Sequence, residues 1–105
     1  MNGQKLRGAI GLAMKSGNCA AGDFAAAKAI KSGAAKLALI DDRASENARK
    51  RFFDMCVFRG VECLVVQGVA EAIGRSGVVV AAITDEGFAR MIAAAYAAEG
   101  LGTRD

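Results

Sequence analysis

Three groups of residues in this 105-residue chain combine types and spacings that could do chemistry. The first is "GDFAAAKAIKSG", residues 22–33, where a glycine and an acid open a helical pattern and Lys28 and Lys31 follow three residues apart. Residues three apart share a helix face, so both amines would reach toward one anion. A helix start adds unpaired N–H groups and the positive end of the dipole, which suits a phosphate. Gly22 would let such a ligand come close to the backbone. The second group is Asp41-Asp42 behind an apolar run, placed like an acidic pocket at the carboxyl end of a strand. A phospho-accepting receiver also needs an aspartate behind a later strand and a lysine behind the last one. Here those places hold Gln67-Gly68 and Thr84-Asp85 with no lysine nearby. Asp85 reads as a helix cap, and Asp42 with Arg43 as solvated turn residues. The third group is Cys19, Cys56 and Cys63. An odd number without CxxC spacing, in a chain with no histidine, argues against both a disulfide framework and zinc. We expect reduced, metal-free thiols acting as small apolar side chains.

No set of residues reads as catalytic. A nucleophile and its base usually need a histidine or a pocketed lysine. "GRSG" at 74–77 has neither the spacing of a phosphate-binding Walker loop nor that of a dinucleotide fingerprint. The sequence therefore predicts a protein that is not an enzyme and holds no cofactor.

The elements that must position these residues alternate along the chain. Leu6, Ala9, Ile10, Ala13 and Met14 recur at helical spacing up to Lys15, and Ser16-Gly17-Asn18 ends that helix. Cys19–Ala21 reads as a very short extended piece. A second helix from Asp23 puts Phe24, Ala27, Ile30 and Ala34 on one face, with Phe24 in the core, Lys28 turned away from it and Asp23 as a cap. Gly33 stops it. "KLALI" (36–40) and "CLVVQ" (63–67) read as buried strands on either side of a helix capped by Ser45, whose outer face holds Arg49, Lys50 and Arg51. A short helix over Ala70–Ile73, a third strand over Val78–Ile83 and an alanine-rich helix behind Asp85 complete the order, with a tail that frays from Gly100.

Short apolar strands separated by helices predict one three-layer α/β/α sandwich with a mostly parallel, partly mixed sheet. At 53% hydrophobic and 24% charged, the composition suits one domain over residues 1–105, ordered from about 4 to 98. The run Val78–Ile83 is far too short to cross a bilayer, and the first residues lack a signal-peptide core, which points to the cytoplasm. A net charge of +3 leans toward a phosphate-bearing partner.

The stretch "SGNCAAGDFAAAKAIKSGAAKLALIDDRASENARKR" resembles the kink-turn RNA-binding family typified by archaeal ribosomal protein L-seven-Ae, and within it the bacterial YlxQ-like branch. The resemblance is carried by Gly22, Lys28-Ala29-Ile30, Ser32-Gly33, Ala35-Lys36-Leu37, Asp41-Asp42, Ser45-Glu46-Asn47, a cysteine in the third helix, and "VVVAAITDEGFA" at 78–89. It runs from about Leu6 to Ala94, and the order of the motifs is more specific than any one of them. The resemblance implies an α/β/α sandwich that meets structured RNA, not DNA or a membrane, as a monomer. It places the RNA contacts on Lys15, Asn18, Gly22, Asp23, Phe24, Lys28, Lys31 and Ser32, and on the loop Arg75, Ser76 and Gly77 before the last strand. The chain departs from the archaeal pattern at the base-reading Asn-Glu pair, which is Phe24-Ala25 here, and at an arginine that is Ser32. Contact with the RNA backbone is therefore expected to outweigh base reading.

Overall fold

The computed structural model describes residues 4–99. Its order is α1 (Gln4–Lys15), β1 (Cys19–Ala21), α2 (Asp23–Ser32), β2 (Leu37–Asp41), α3 (Glu46–Arg59), β3 (Cys63–Val66), α4 (Val69–Ile73), β4 (Val80–Ile83) and α5 (Glu86–Ala98). The frayed tail expected from Gly100 lies outside the described residues.

Local chemistry closes several of the helix ends. Ser45 Oγ accepts from Ala48 N–H at the start of α3, and Asp85 Oδ2 accepts from Phe88 N–H at the start of α5. Gly33 and Gly60 end α2 and α3 in the left-handed conformation. The strands are short and apolar because both faces of the sheet are covered. Along β2, Leu37 and Leu39 enter one core while Ala38 and Ile40 enter the other, as the two-residue alternation of a strand requires. The first core joins the sheet to α1, α4 and α5, and the second joins it to α2 and α3. These are the three layers of the expected α/β/α sandwich.

The sheet is mixed, in the order β1-β4-β2-β3. Only β2 and β3 pair in parallel, and β4 runs antiparallel to both β1 and β2. Antiparallel ladders thus outnumber the parallel one, where sequence predicted mostly parallel pairing. The cause is non-local: β4, last in the chain, inserts between β1 and β2, so Ile83 faces Cys19 on one side and Leu37 on the other. The strands otherwise match the apolar runs, with Lys36, Gln67, Val78 and Val79 outside them and Asp41 included. Among the described residues, no helix is long and apolar enough to cross a membrane.

Candidate nucleic-acid interface

The turn from β1 into α2 depends on Gly22, whose φ of 97° and ψ of 164° lie in a region that only glycine enters readily. Its N–H donates to the Val80 carbonyl at 2.9 Å, which pins the helix start to the beginning of β4. No side chain caps this end of α2. The loop 74–79 leads into the same corner, and its Val79 carbonyl accepts from Asp41 N–H at 2.7 Å. One rim of the sheet therefore gathers the start of α2, the end of β2 and the loop holding Arg75, Ser76 and Gly77, all three of which are exposed. That loop walls a cleft of about 610 Å³ together with Arg43 and Glu71. The Arg75 charge also reaches the Cys19 thiol, although burial dominates there and pushes it up to about 11.

The side chains of α2 sort differently from the sequence expectation. Ala26, Ala29 and Ile30 are buried, and Phe24 is 82% exposed. Phe24 is thus not a core residue: small alanines make the contact with the sheet, and the ring is left outside. Lys28 does not point away from it either. Phe24, Lys28 and Lys31 follow at i, i+4 and i+7 and form one outer stripe. With Ala27 and Ser32 they line a shallow hollow of about 440 Å³. Ser32 Oγ donates to the Ala29 carbonyl at 3.2 Å and accepts from Ala34 N–H, so its hydroxyl serves the helix end. Asp23 does not cap the helix. Its carboxylate instead receives Arg51 NH2 of α3 at 3.1 Å.

Lys15 and Asn18 stand apart from this group. The Asn18 carbonyl accepts from Thr84 N–H, at the opposite end of β1 and β4 from Gly22, while its side chain turns back to Ser16. Three residues of strand, about 10 Å, separate the two rims.

Sequence reasoning singled out Asp41 with Asp42 but missed its role: Asp41 is fully buried. Its carboxylate accepts from Arg43 N–H and Nε, from Arg43 NH2 and, at 2.9 Å, from Val69 N–H at the start of α4. Burial alone would raise its pKa. The Arg43 side chain and the two backbone N–H groups outweigh that and hold the carboxyl far below the usual carboxylate range. Arg43, expected as a solvated turn residue, is this carboxylate's partner and also meets Glu71 at 3.4 Å. Cys56 is buried and Cys63 half-buried, with the Cys63 thiol against the Cys56 sulfur, which favours the thiolate at Cys56 and keeps Cys63 protonated. Among the described residues, no group of three or more His, Cys, Asp or Glu is gathered to hold a metal.

Fold and site together define a class: a mixed-sheet α/β/α sandwich with an open, lysine- and aromatic-bearing helix start on one rim of its sheet. No family model matches the chain. Over 97 residues it is 33% identical to RNA-binding protein YlxQ of Bacillus subtilis, an alignment spanning 88% of this chain and 95% of that protein, and it belongs to the YlxQ family. Among solved structures, a protein of unknown function from Bacillus halodurans superposes with a TM-score of 0.81 at 28% identity, over 86% of this chain and 94% of the other. A 15.5kD RNA binding protein of Giardia lamblia superposes with a TM-score of 0.72 over 92% of this chain and 86% of its own, and at 17% identity it shares the fold.

Proposed function

We propose that this protein is a non-catalytic RNA-binding module that grips a bent, structured RNA of the kink-turn type, ribosomal RNA included, as a cytoplasmic monomer. One observation carries the reading: the Gly22 to Val80 hydrogen bond pins the uncapped start of α2 to the first residue of β4, where the loop 74–79 ends, beside the exposed Phe24–Lys28–Lys31 stripe. The similarity to RNA-binding protein YlxQ of Bacillus subtilis supports it. The first-turn N–H groups of α2 would take a phosphate, Lys28 and Lys31 would follow the backbone, and Phe24 would stack on a splayed base. Arg75 would add a phosphate contact from the loop, with Ser76 and Gly77 beside it. Lys15 and Asn18 would meet only an RNA that wraps past β1.

The test is titration of a kink-turn RNA and an unbent variant at several salt concentrations, with the parent protein and Lys28→Ala. Lysine contacts to phosphate should make affinity fall steeply with salt. Lys28→Ala should weaken binding by roughly 1.5–3 kcal/mol, ten- to hundredfold, through loss of a charged hydrogen bond. Its melting temperature should hold, because alanine is the better helix former at an exposed site. Unchanged affinity in a normally melting Lys28→Ala protein would remove Lys28 from the site. It would favour instead a protein-docking role for the α1–α5 groove, where Leu12 and Met91 are exposed.

A further inference from the structure

A second exposed aromatic ring stands on the neighbouring helix, level with the end of α2 rather than its start. α2 and α3 run side by side in the same direction: Arg51 reaches Asp23 near the start of α2, and Arg59 NH2 donates to the Lys31 carbonyl near its end. The two ties join residues with the same separation in sequence, so the helices keep step over eight residues, about 12 Å. Phe58 is 85% exposed and follows Arg51 by seven residues, which puts it on the flank of α3 that faces α2. The Arg59 guanidinium lies 5.9 Å from its ring centroid. A large apolar ring left in water beside fixed cations gains nothing for folding, and Val57 next to it is also exposed. Of the acids along this strip, Asp23 is held by Arg51, and Asp54, four residues before Phe58, is held by Lys50.

We infer that Phe58, with Arg59 and Lys31, is a stacking platform for an unpaired nucleotide of the RNA strand that leaves the bent core. Alternating rings and cations suit single-stranded nucleic acid, because every base offers a π face and every linkage a phosphate. The strip starts at Phe24, crosses Lys28 and Lys31, and ends at Phe58, so a strand leaving the α2 start would pass over it. The inference rests on the RNA reading above and extends it to substrates with a single-stranded flank.

A blunt kink-turn duplex is compared with the same duplex carrying an unpaired adenosine run, placed on each strand end in turn. The parent protein should bind one tailed RNA about five- to tenfold tighter than the blunt one. Phe58→Ala should erase that gain while leaving blunt-duplex affinity and melting temperature unchanged, and Phe58→Tyr should keep it. The chain has no tryptophan, so Phe58→Trp supplies a single tryptophan whose emission the tailed RNA should quench and the blunt one should not. Normal blunt-duplex binding with no gain from either tail, or a gain that survives Phe58→Ala, overturns this platform alone. Absence of binding to any of these RNAs would overturn the RNA reading together with it.

Discussion

Two helices of this protein begin behind a glycine with positive φ on the same rim of the sheet, and they meet opposite fates. At α4, behind Gly68 with φ 77°, the buried Asp41 carboxylate takes the first N–H, that of Val69, and is itself clasped by Arg43. At α2, behind Gly22, the neighbouring carboxylate of Asp23 turns sideways to Arg51, and no side chain reaches the helix end. The first corner uses its donors and its cation to hold β2, α4 and their turn together. The second leaves donors, lysines and an aromatic ring facing outward. A helix start attracts a carboxylate wherever one can be brought close. The one that stays open is the corner on which the proposed RNA site is built.

The sharpest way to break this contrast is to remove the carboxylate at the closed corner. Asp41→Asn leaves the Val69 N–H and the Arg43 fork facing a neutral amide in a fully buried position. We expect a loss of about 3 kcal/mol, from charged hydrogen bonds given up and a buried donor left poorly paired. In a domain of this size that lowers the melting midpoint by more than about 10 °C. The sign with pH follows from the depressed pKa. Unfolded Asp41 titrates near pH 4, so its contribution is complete above that value and is lost as pH falls further, toward the folded value. Denaturant melts from pH 7 downward should show parent and Asp41→Asn converging in acid. A gap that stays constant with pH would mean the carboxylate's charge is not what holds the corner. Below its own melting temperature the variant should bind RNA like the parent, and weakened binding there would mean that the two corners are coupled.

The open corner is tested next by Phe24→Ala. The ring covers little of the protein, so melting should move by less than about 0.5 kcal/mol. Losing one stacked base should weaken RNA binding by roughly 1–3 kcal/mol. A clear drop in melting temperature with no change in affinity would return Phe24 to a packing role.

Much of this contrast could be read from the chain, and its limits have physical causes. The apolar runs at 36–40, 63–67 and 78–83 contain β2, β3 and β4 nearly to the residue, and Ser45, Asp85 and Gly33 mark helix ends by local chemistry that needs no partner. The insertion of β4 between β1 and β2 was not legible, because it rests on pairings more than forty residues apart, such as Leu37 with Ile83. The role of Asp41 was hidden for the same reason: Val69, which it caps, lies 28 residues on. The exposure of Phe24 was lost in the alanine background of α2. With alanine at 25, 26, 27 and 29, the i, i+3, i+6 line through Phe24, Ala27 and Ile30 looks as apolar as the true core line of Ala26, Ala29 and Ile30. What selects the second is the closeness of the helix to the sheet, fixed by the Gly22 bond to Val80. Phe24 would have been better read by its position in the first turn, beyond the reach of the core, than by its hydrophobicity.

The smallest expected effect concerns the ion pair that keeps the open corner open. Arg51 and Asp23 meet at 3.1 Å with half-exposed side chains, so the pair adds at most about 1 kcal/mol to stability. Its larger role would be to neutralise the acid in the first turn of the phosphate-facing helix, with the guanidinium steadied 4.9 Å from the Phe52 ring centroid. Arg51→Ala frees a carboxylate toward the RNA and should weaken binding about two- to fivefold at low salt, less as salt screens it. Asp23→Asn in the same protein should restore the loss, since no repelling charge remains. A double-mutant cycle on affinity separates this from direct contact. If Arg51 touches phosphate itself, Arg51→Ala would cost as much in the Asp23→Asn background as in the parent, and the pair would belong to the binding surface rather than guard it.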